Sequence, residues 1–469
     1  MKELFLKAQN QAARDRSASD PNRLAYHLMP VTGWLNDPNG LCQIGDTYHI
    51  FYQYAPCSAD GTGPKGWGHY STKDFHTYKE EEVPLLPDSE IDRNGAYSGS
   101  AFEHEGITHF FYTGNGKLPG NHDYINSGRL HWTNHFESKD GKNFTPKEVL
   151  MKNEDYPDNL SCHVRDPKVL REGKDFYMVL GARTKDSVGQ VNVFKSDDLK
   201  NWKPVSVISS TEPFGYMWEC PDLFDLDGKR ILITCPQGVE QQGMDYENLY
   251  QNGYFLVDGS LDKNITVSGF QELDHGFDFY APQTFEDAKG RRILIGWMGM
   301  PDVEYNNEPT TAYGWQHALT LPRELHYHHG RLYQYPIDEI LALRKEPQEF
   351  HLQPHQPISL PTPVFELALS PRTDSFKIRI RKDVVMEYED GIFSLRLNNS
   401  GAERDVRHVK VDRIESLDIF SDTSSLEVFI NQGEQALTTR VYDSKENLEV
   451  ESSEPMSGVF WKMESFKIV

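Results

Sequence analysis

Gly33-Trp34-Leu35-Asn36-Asp37-Pro38-Asn39-Gly40 is the stretch from which the rest of the chain can be interpreted. It places a turn-forming run directly behind an apolar pair, and its Pro and Gly residues favour a tight bend of the backbone. Asp37 falls where that backbone bends. Taken alone, the stretch predicts a β-turn between two strands. Polar groups recur at matching places further along the chain, and they give Asp37 partners.

A short apolar strand pattern occurs five times, and each copy follows a turn rich in Gly, Asp or Glu. The five copies are residues 48–52, 108–112, 176–180, 231–234 and 293–297. Their spacing is roughly 55 to 70 residues, which is typical of four-stranded propeller blades that carry loops. The sequence therefore predicts an all-β fold with a five-bladed β-propeller over residues 27–335.

A polar marker precedes each strand pattern at nearly the same offset. The markers are Asp37, Ser98, Asp166, Glu219 and Tyr280. Equivalent positions in successive blades surround the central axis of a propeller. We therefore expect the three carboxylates to converge at one mouth of the central channel.

Composition and charge limit the possible functions. At 469 residues the chain is long enough for two domains. The net charge is −23 and there is no basic tract, which argues against nucleic acid and anionic membranes as partners. No apolar run reaches membrane-spanning length, and the N-terminus lacks the apolar core of a signal peptide.

Five cysteines, an odd number without metal-ligand spacing, favour a reduced cytoplasm and give no sign of a metal or cofactor. The sequence does not indicate an oligomeric state.

Three further segments flank the predicted propeller. Residues 1–26 read as an N-terminal helical segment, with one helix from 3 to about 16. The Pro-rich residues 336–363 read as a linker. Residues 364–469 then alternate apolar and polar side chains, which predicts an antiparallel β-sandwich, either structural or weakly carbohydrate-binding.

Two carboxyl groups that face a glycosidic bond suffice to hydrolyse it, because one can attack the anomeric carbon while the other protonates the leaving oxygen. The acid must hold its proton near neutral pH, and a neighbouring carboxylate helps it do so. Asp37 and Glu219 could form this pair. We expect Asp166 to stay ionised beside Arg165 and to accept hydrogen bonds from sugar hydroxyls.

Five ordered motifs resemble the β-fructofuranosidases of glycoside hydrolase family 32, the invertases and their relatives. The motifs are residues 34–40, 97–101, 165–168, 218–222 and 279–283, and the likeness runs from about residue 26 to the end. The resemblance implies a five-bladed propeller joined to a β-sandwich. It also implies that Asp37 is the nucleophile, Glu219 the acid/base and Asp166 the transition-state stabiliser.

The same resemblance implies which residues bind the sugar and how the reaction runs. The implied substrate-binding residues are Trp34, Leu35, Asn36, Gln53, Trp67, Tyr97, Ser98, Arg165 and Trp297. The implied reaction retains configuration, which requires the two catalytic carboxyls to lie about 5 to 5.5 Å apart.

The likeness is greatest to bacterial enzymes that act on sucrose 6-phosphate. A phosphate site would need a local basic island, and Arg183, Lys185 and Lys117 lie on candidate loops. Three alternatives remain open at this point: a fructan hydrolase of the same fold, an inverting five-bladed glycosidase such as an arabinan-cleaving enzyme, and a propeller that binds sugar without catalysis.

Overall fold

A computed structural model describes residues 1–305, 307–443 and 446–469. Two short helices, α1 (Lys2–Ala8) and α2 (Gln11–Ala18), precede the first strand. The sequence predicts one helix here, but Asn10 interrupts it, because its side chain accepts a 3.1 Å hydrogen bond from the backbone N–H of Ala13 and caps α2. Arg14 then binds Glu80 and holds α2 on the first blade.

Five antiparallel sheets follow one another along the chain. The first contains β1 (Gly33–Ile44), β2 (Thr47–Ala55), β3 (Gly66–Thr72) and β4 (Thr77–Glu80), and the second contains β5 (Ala96–His104), β6 (Ile107–Lys117), β7 (Arg129–Ser138) and β8 (Glu148–Met151). The third contains β9 (Leu160–Glu172), β10 (Asp175–Thr184), β11 (Gly189–Ser196) and β12 (Lys203–Ser210).

The fourth sheet contains β13 (Met217–Leu226), β14 (Lys229–Gln237), β15 (Gly253–Leu256) and β17 (Gln271–Glu272), while β16 (Ile265–Val267) joins the third sheet. The fifth contains β18 (Tyr280–Glu286), β19 (Arg292–Met298), β21 (Ala318–Leu319), β22 (Arg323–His328) and β23 (Arg331–Pro336). After helix α3 (Glu308–Thr311), β20 (Trp315–Gln316) pairs in parallel with β1.

The innermost strands close a ring, since β1, β5, β9, β13 and β18 each contact the next and β18 contacts β1. This confirms the predicted five-bladed propeller.

Each innermost strand carries a bulge in which two residues face one residue of the next strand. The bulges are Asn36-Asp37 opposite Gln53, Tyr97-Ser98 opposite Thr113, Asp166-Pro167 opposite Leu180, Cys220-Pro221 opposite Thr234, and Ala281-Pro282 opposite Gly296. A bulge bends its strand and redirects the side chains beside it. The motifs found in the sequence therefore lie at equivalent bends of five blades.

The predicted common offset holds only to within two positions. Asp37 and Ser98 occupy the second position of their bulges, and Asp166 occupies the first. Glu219 and Tyr280 come one residue before the bulge begins. The side chains still converge because a bulge turns several consecutive residues toward the channel mouth.

The second domain is a sandwich of two six-stranded sheets. Its first sheet contains β24 (Arg344–Leu352), β26 (Phe365–Ser370), β31 (Leu417–Asp422), β32 (Ser425–Ile430), β33 (Gln435–Arg440) and β35 (Met456–Met463). Its second sheet contains β25 (Ile358–Ser359), β27 (Phe376–Arg381), β28 (Val384–Glu389), β29 (Ile392–Arg396), β30 (Val406–Lys410) and β34 (Glu449–Ser452). The final strand, β36 (Lys467–Ile468), returns to the first blade and pairs with β4.

The segment 336–363 is not only a linker, and this part of the domain prediction is wrong. Helix α4 (Asp338–Leu341) is followed by β24, which pairs antiparallel with β35 as an edge strand of the sandwich. Most of β24 is exposed, so it lacks the apolar alternation that reveals a half-buried strand in a sequence. Its pairing partner lies about a hundred residues later and gives no local signal.

Buried charges join the two domains. His27 lies 2.8 Å from Asp422 and 2.9 Å from Glu427, which belong to the sandwich. Arg323 of the propeller also binds Glu427, and the side chains of this group have no solvent exposure. Such a group holds the domains in one relative position because separating the charges would leave them unpaired in a dry interior.

None of the described helices is both long enough and apolar enough to cross a membrane.

Candidate active site

Asp37, the second bulge residue of the first blade, is held by donors from two blades. Ser98 Oγ, from the second blade, donates a short hydrogen bond to Oδ2, and Asn36 Nδ2 donates to Oδ1 at 3.0 Å. Burial raises the pKa of Asp37, the bonds from Ser98 and Asn36 oppose the rise, and the charge of Glu219 adds to it. Asp37 is thus a partly buried carboxyl group with a second acid nearby.

Glu219 is enclosed by donors from three blades. Arg165, on the third blade, reaches Oε1 through Nε at 3.1 Å and through Nη2 at 2.5 Å. Oε2 accepts from Gln237 Nε2 at 2.7 Å and from the Tyr280 hydroxyl at 2.8 Å. These contacts hold the carboxyl group in one orientation while 15% of its side chain stays exposed at the mouth.

Asp166 is bound by Cys220, the residue that follows Glu219. Its Oδ2 accepts a 2.9 Å hydrogen bond from the backbone N–H of Cys220, whose Sγ lies 3.8 Å from Asp37 Oδ2. Its own backbone N–H donates to Thr113 Oγ1 at 2.9 Å. Through Cys220 the structure brings the first, third and fourth blades together at one point, as the sequence predicts for the three carboxylates.

Burial acts against the expected ionisation of Asp166. Burial raises its pKa to about 7, against the charge of Arg165, and the charges of Glu219 and Asp37 also raise it. Arg165 makes its ion pair with Glu219 and therefore favours the ionised form of Asp166 only from a distance.

An aromatic wall borders the site on the side of the first and fifth blades. The rings of Trp34 and Trp297 lie 5.9 Å apart, and His317 packs edge-on against both, at 4.3 and 5.0 Å. Trp34 Nε1 donates to Asn36 Oδ1 at 2.8 Å, and Lys65 Nζ lies 5.3 Å from the Trp34 ring centre. This wall connects directly to the residue that orients Asp37.

The remaining residues implied by the resemblance occupy different layers of the site. Gln53 is buried and its Oε1 accepts from Asn36 Nδ2, so it supports the Asn36–Asp37 pair. Tyr97 is partly exposed beside Ser98, and its carbonyl accepts from Trp67 Nε1 at 3.0 Å. Trp67 and Leu35 are fully buried in the core, so they position neighbouring residues and do not form an open wall.

Sequence reasoning missed several residues of the site. Gln237 ends β14 without a recognisable motif, and His317 lies in an irregular connection between β20 and β21. His163 stands two residues before Arg165, and side chains two residues apart on a strand share one face, so its position near Arg165 could have been inferred from the sequence. In the structure, His163 Nδ1 lies 2.6 Å from Arg165 Nη1.

Metal-ligand spacing occurs elsewhere in the described part of the chain. His109, His135 and Glu137 lie together on β6 and β7, and their nearest ligand atoms are separated by 3.0, 3.4 and 3.8 Å. This group is not among the contacts of Asp37, Asp166 or Glu219.

The fold and this constellation define a class: a five-bladed propeller with three acids at one channel mouth, joined to a β-sandwich. Residues 27–336 match the family described as "Glycosyl hydrolases family 32 N-terminal domain", and residues 347–465 match "Glycosyl hydrolases family 32 C terminal". The chain belongs to glycosyl hydrolase family 32.

Curated relatives match along nearly their whole length. The sucrose-6-phosphate hydrolase of Bacillus subtilis strain 168 is 40% identical over 453 residues, covering 93% of this chain and 92% of the relative. The sucrose-6-phosphate hydrolase of Klebsiella pneumoniae is 39% identical and covers 91% of this chain and 90% of its own.

Solved structures of family members superpose closely. A sucrose-6-phosphate hydrolase from Lactobacillus gasseri has a TM-score of 0.88 at 29% identity and covers 99% of this chain and 97% of its own. A Bombyx mori β-fructofuranosidase, also solved with sucrose, has a TM-score of 0.85 at 29% identity and covers 99% and 98%. The predicted family and the predicted fold class, a propeller followed by a β-sandwich, are confirmed, and the arabinan-cleaving alternative is wrong.

Proposed function

We propose that the protein is a retaining β-fructofuranosidase that hydrolyses sucrose 6-phosphate and sucrose. The observation that carries the proposal is that Asp37 and Glu219 share one site while each is held by its own donors, Asn36 and Ser98 for Asp37 and Arg165, Gln237 and Tyr280 for Glu219. Two separately oriented carboxyl groups can perform two different roles at one glycosidic bond. The names of the curated relatives support the choice of substrate.

In the first step, ionised Asp37 attacks the anomeric carbon of the fructosyl unit. The bond from that carbon to the bridging oxygen breaks, and Glu219 gives its proton to this oxygen, so that glucose or glucose 6-phosphate leaves. The fructosyl unit remains as an ester on Asp37.

In the second step, Glu219 accepts a proton from water as the water oxygen attacks the same carbon. The ester bond breaks, fructose leaves with its original configuration, and Asp37 regains its negative charge. The loss of that charge during the ester stage favours the ionised form of Glu219, which is the form that accepts a proton from water.

Binding of the fructosyl unit falls to the residues around Asp37. Asp166 is placed by Cys220 and Thr113 to accept hydrogen bonds from sugar hydroxyls. Asn36 and Trp34 present polar and aromatic surface beside the nucleophile. Interactions of Asp166 that strengthen as the fructosyl cation develops would raise kcat as well as affinity.

A phosphorylated disaccharide is charged and is retained by the compartment that makes it. The proposed substrate therefore agrees with a cytoplasmic enzyme, as the sequence predicts.

The test is hydrolysis of sucrose 6-phosphate in the presence of methanol. A retaining enzyme transfers the fructosyl unit from Asp37 to methanol and yields methyl β-D-fructofuranoside, which does not mutarotate and is identified by nuclear magnetic resonance. Formation of the α-anomer alone would overturn the double-displacement assignment. In the variants Asp37→Asn and Glu219→Gln, neither fructose nor methyl fructofuranoside should form.

Fructan hydrolysis is measured in the same assay with inulin and levan. Structural neighbours named for fructans share the fold alone with this chain. The exo-inulinase of Aspergillus awamori, for example, is 22% identical with a TM-score of 0.76, and the match covers 96% of this chain and 99% of the exo-inulinase. We expect sucrose and its phosphate to be hydrolysed faster than either polymer.

A further inference from the structure

Two arginines of the third blade face the fourth blade from the same side of their sheet. Arg165 on β9 pairs with Gly181 on β10, and Arg183 follows Gly181 by two residues. Side chains two residues apart on a strand, and those directly opposite across a strand pair, share one face. This face is pressed against the fourth blade, because a Cβ atom on Gly181 would lie 2.1 Å from the Trp218 carbonyl oxygen.

The two arginines have different partners on the fourth blade. Arg165 binds Glu219, whereas the guanidinium of Arg183 lies 4.6 Å from the centre of the Tyr216 ring. Tyr216 is tied to the acid/base through Gln237, whose carbonyl accepts from the Tyr216 N–H at 2.8 Å and whose side chain donates to Glu219. Arg183 is therefore connected to Glu219 through Tyr216 and Gln237, and it lies further from the channel axis than Arg165 does.

Arg183 has no carboxylate within 4.0 Å among the residues that the structure describes. One of its contacts is a 2.9 Å hydrogen bond from Nη2 to Ser187 Oγ, and its buried Nε has no hydrogen-bond partner in the described chain. A guanidinium without a carboxylate partner in the described part of the chain is notable when the net charge is −23. It leaves a cation free to bind an anion that arrives from solution.

Neighbouring groups strengthen the positive field around Arg183. Arg129 binds the Tyr124 carbonyl at 3.1 Å and the Asn115 side-chain oxygen at 3.1 Å, and it forms no ion pair within the described ranges. His163 lies among these cations: burial first, and then the charges of Arg165, Arg129 and Arg183, lower its pKa to about 3. Several cationic groups thus surround one edge of the mouth, and Glu219 is the acid there that binds Arg165.

We propose that Arg183 binds the phosphate of a leaving group that carries a phosphate monoester, and so sets the preference for sucrose 6-phosphate over sucrose. This inference rests on the proposed function, because Glu219 must mark the leaving-group side. Arg165 and Arg183 are offset by about 7 Å along the sheet, from a rise of 3.3 Å per residue. That offset suits one hexose between the scissile oxygen at Glu219 and a phosphate at Arg183.

The other two basic residues expected near the phosphate are directed elsewhere. Lys185 Nζ donates to the Asp158 carbonyl at 2.6 Å, and Lys117 Nζ lies 5.4 Å from the Tyr124 ring centre. Lys185 follows Arg183 by two residues but stands beyond the end of β10. Lys185→Gln is therefore a matched control that removes one nearby positive charge without touching the proposed contact.

The experiment compares kcat/KM for sucrose 6-phosphate and for sucrose in the wild-type enzyme and in Arg183→Gln, Arg183→Lys and Lys185→Gln. We expect Arg183→Gln to lower the ratio of the two values by about 10- to 100-fold, the effect of losing a charge-assisted hydrogen bond. Arg183→Lys should fall in between, because it keeps the charge and loses the fork geometry. Lys185→Gln should change the ratio by less than about twofold.

A binding measurement provides a second readout that does not need turnover. Calorimetric titration of the wild-type protein with glucose 6-phosphate should give tighter binding than titration with glucose, and Arg183→Gln should remove the difference. Thermal unfolding of each variant establishes that the fold is intact. An unchanged substrate ratio in Arg183→Gln, or equal binding of the two sugars by the wild type, would overturn the proposal.

Failure of this inference can be told apart from failure of the proposed function. If the wild type hydrolyses both substrates with equal kcat/KM, the phosphate contact is wrong and the β-fructofuranosidase assignment stands. If it hydrolyses neither substrate yet binds glucose 6-phosphate through Arg183, the phosphate contact stands and the proposed reaction is wrong.

Discussion

The guanidinium of Arg165 forms its ion pair with Glu219 of the next blade, at 2.5 Å, although Asp166 is its neighbour in the sequence. The bulge that begins at Asp166 gives this residue a left-handed backbone, with φ of 64°, and separates its side chain from that of Arg165. One arginine therefore orients Glu219, the proposed acid/base, from a different blade. Asp166 is left as a buried acid that is held by the backbone N–H of Cys220.

Replacing Asp37 by Asn should abolish turnover and leave the fold unchanged. The amide keeps the size of the side chain but cannot attack the anomeric carbon, and we expect kcat to fall by at least roughly 10³-fold. Initial rates with sucrose, together with thermal unfolding of the variant, check this outcome. Activity within about tenfold of the wild type would exclude Asp37 as the nucleophile.

Replacing Tyr280 by Phe should lower kcat more than it changes KM. The variant loses the 2.8 Å hydrogen bond to Glu219 Oε2, and with it about 1 kcal/mol or more of orientation, equivalent to roughly a fivefold to thirtyfold loss of kcat. Tyr254→Phe is the matched control, because the Tyr254 hydroxyl donates to Gln271 Oε1 at 2.7 Å and accepts from the Leu332 backbone N–H at 2.9 Å, both on outer strands. Equal kinetics in the two variants would contradict the role assigned to Tyr280.

The free energy of unfolding should depend on pH through Asp166. Burial raises the pKa of its folded form from 3.8 to about 7. Below pH 3.8 the group is protonated in both states and its stabilisation is complete. Between pH 3.8 and about 7 only the folded state keeps the proton, so this contribution falls as the pH rises, by roughly 4 kcal/mol at most.

Urea unfolding at pH 4.5 and pH 8 measures this effect. We expect Asp166→Asn to be less sensitive to the change of pH than the wild type. Asp418→Asn is a useful control, because burial raises the pKa of this sandwich residue to about 7 as well. Asp418→Asn should flatten the pH dependence of stability and leave kcat unchanged. Asp166→Asn should flatten the pH dependence and also lower kcat. Parallel curves for the wild type and Asp166→Asn would refute the assignment.

The charged group between the domains should be sensitive to the loss of one member. Glu427→Gln removes the carboxylate that His27 and Arg323 share, and leaves buried cations with fewer partners. We expect a loss of about 3 to 5 kcal/mol in the free energy of unfolding. Arg379→Gln, which breaks a partly exposed pair with Glu451, should cost less than about 1 kcal/mol.

The same charged group predicts that the free energy of unfolding also depends on pH above neutrality. Burial alone would lower the pKa of His27, but the hydrogen bonds to Asp422 and Glu427 outweigh it and raise the pKa above 6.5. The stabilisation from charged His27 is therefore complete below pH 6.5 and is lost as the pH rises through the folded pKa. Thermal unfolding between pH 6 and 9 should show a decline in the wild type that His27→Gln lacks.

Local patterns were enough to predict the five blades, the sandwich and the three acids. The strand patterns recur with similar spacing, and the bulge motifs combine turn residues with a following apolar strand, so each can be recognised within a few residues. The exposed edge strand β24 could not be recognised in this way, because its stabilising partner β35 is distant in the sequence.

The amino-acid sequence alone was sufficient to predict that Asp37, Asp166 and Glu219 share one site, since chain order and blade repetition place them around one axis. Only the tertiary structure decided that Arg165 turns to Glu219 and that burial raises the pKa of Asp166. It also decided that Arg183 packs on Tyr216 with no carboxylate partner among the described residues. The physical reason is that these properties depend on side chains from neighbouring blades. Such contacts and the loss of water arise only when the ring closes.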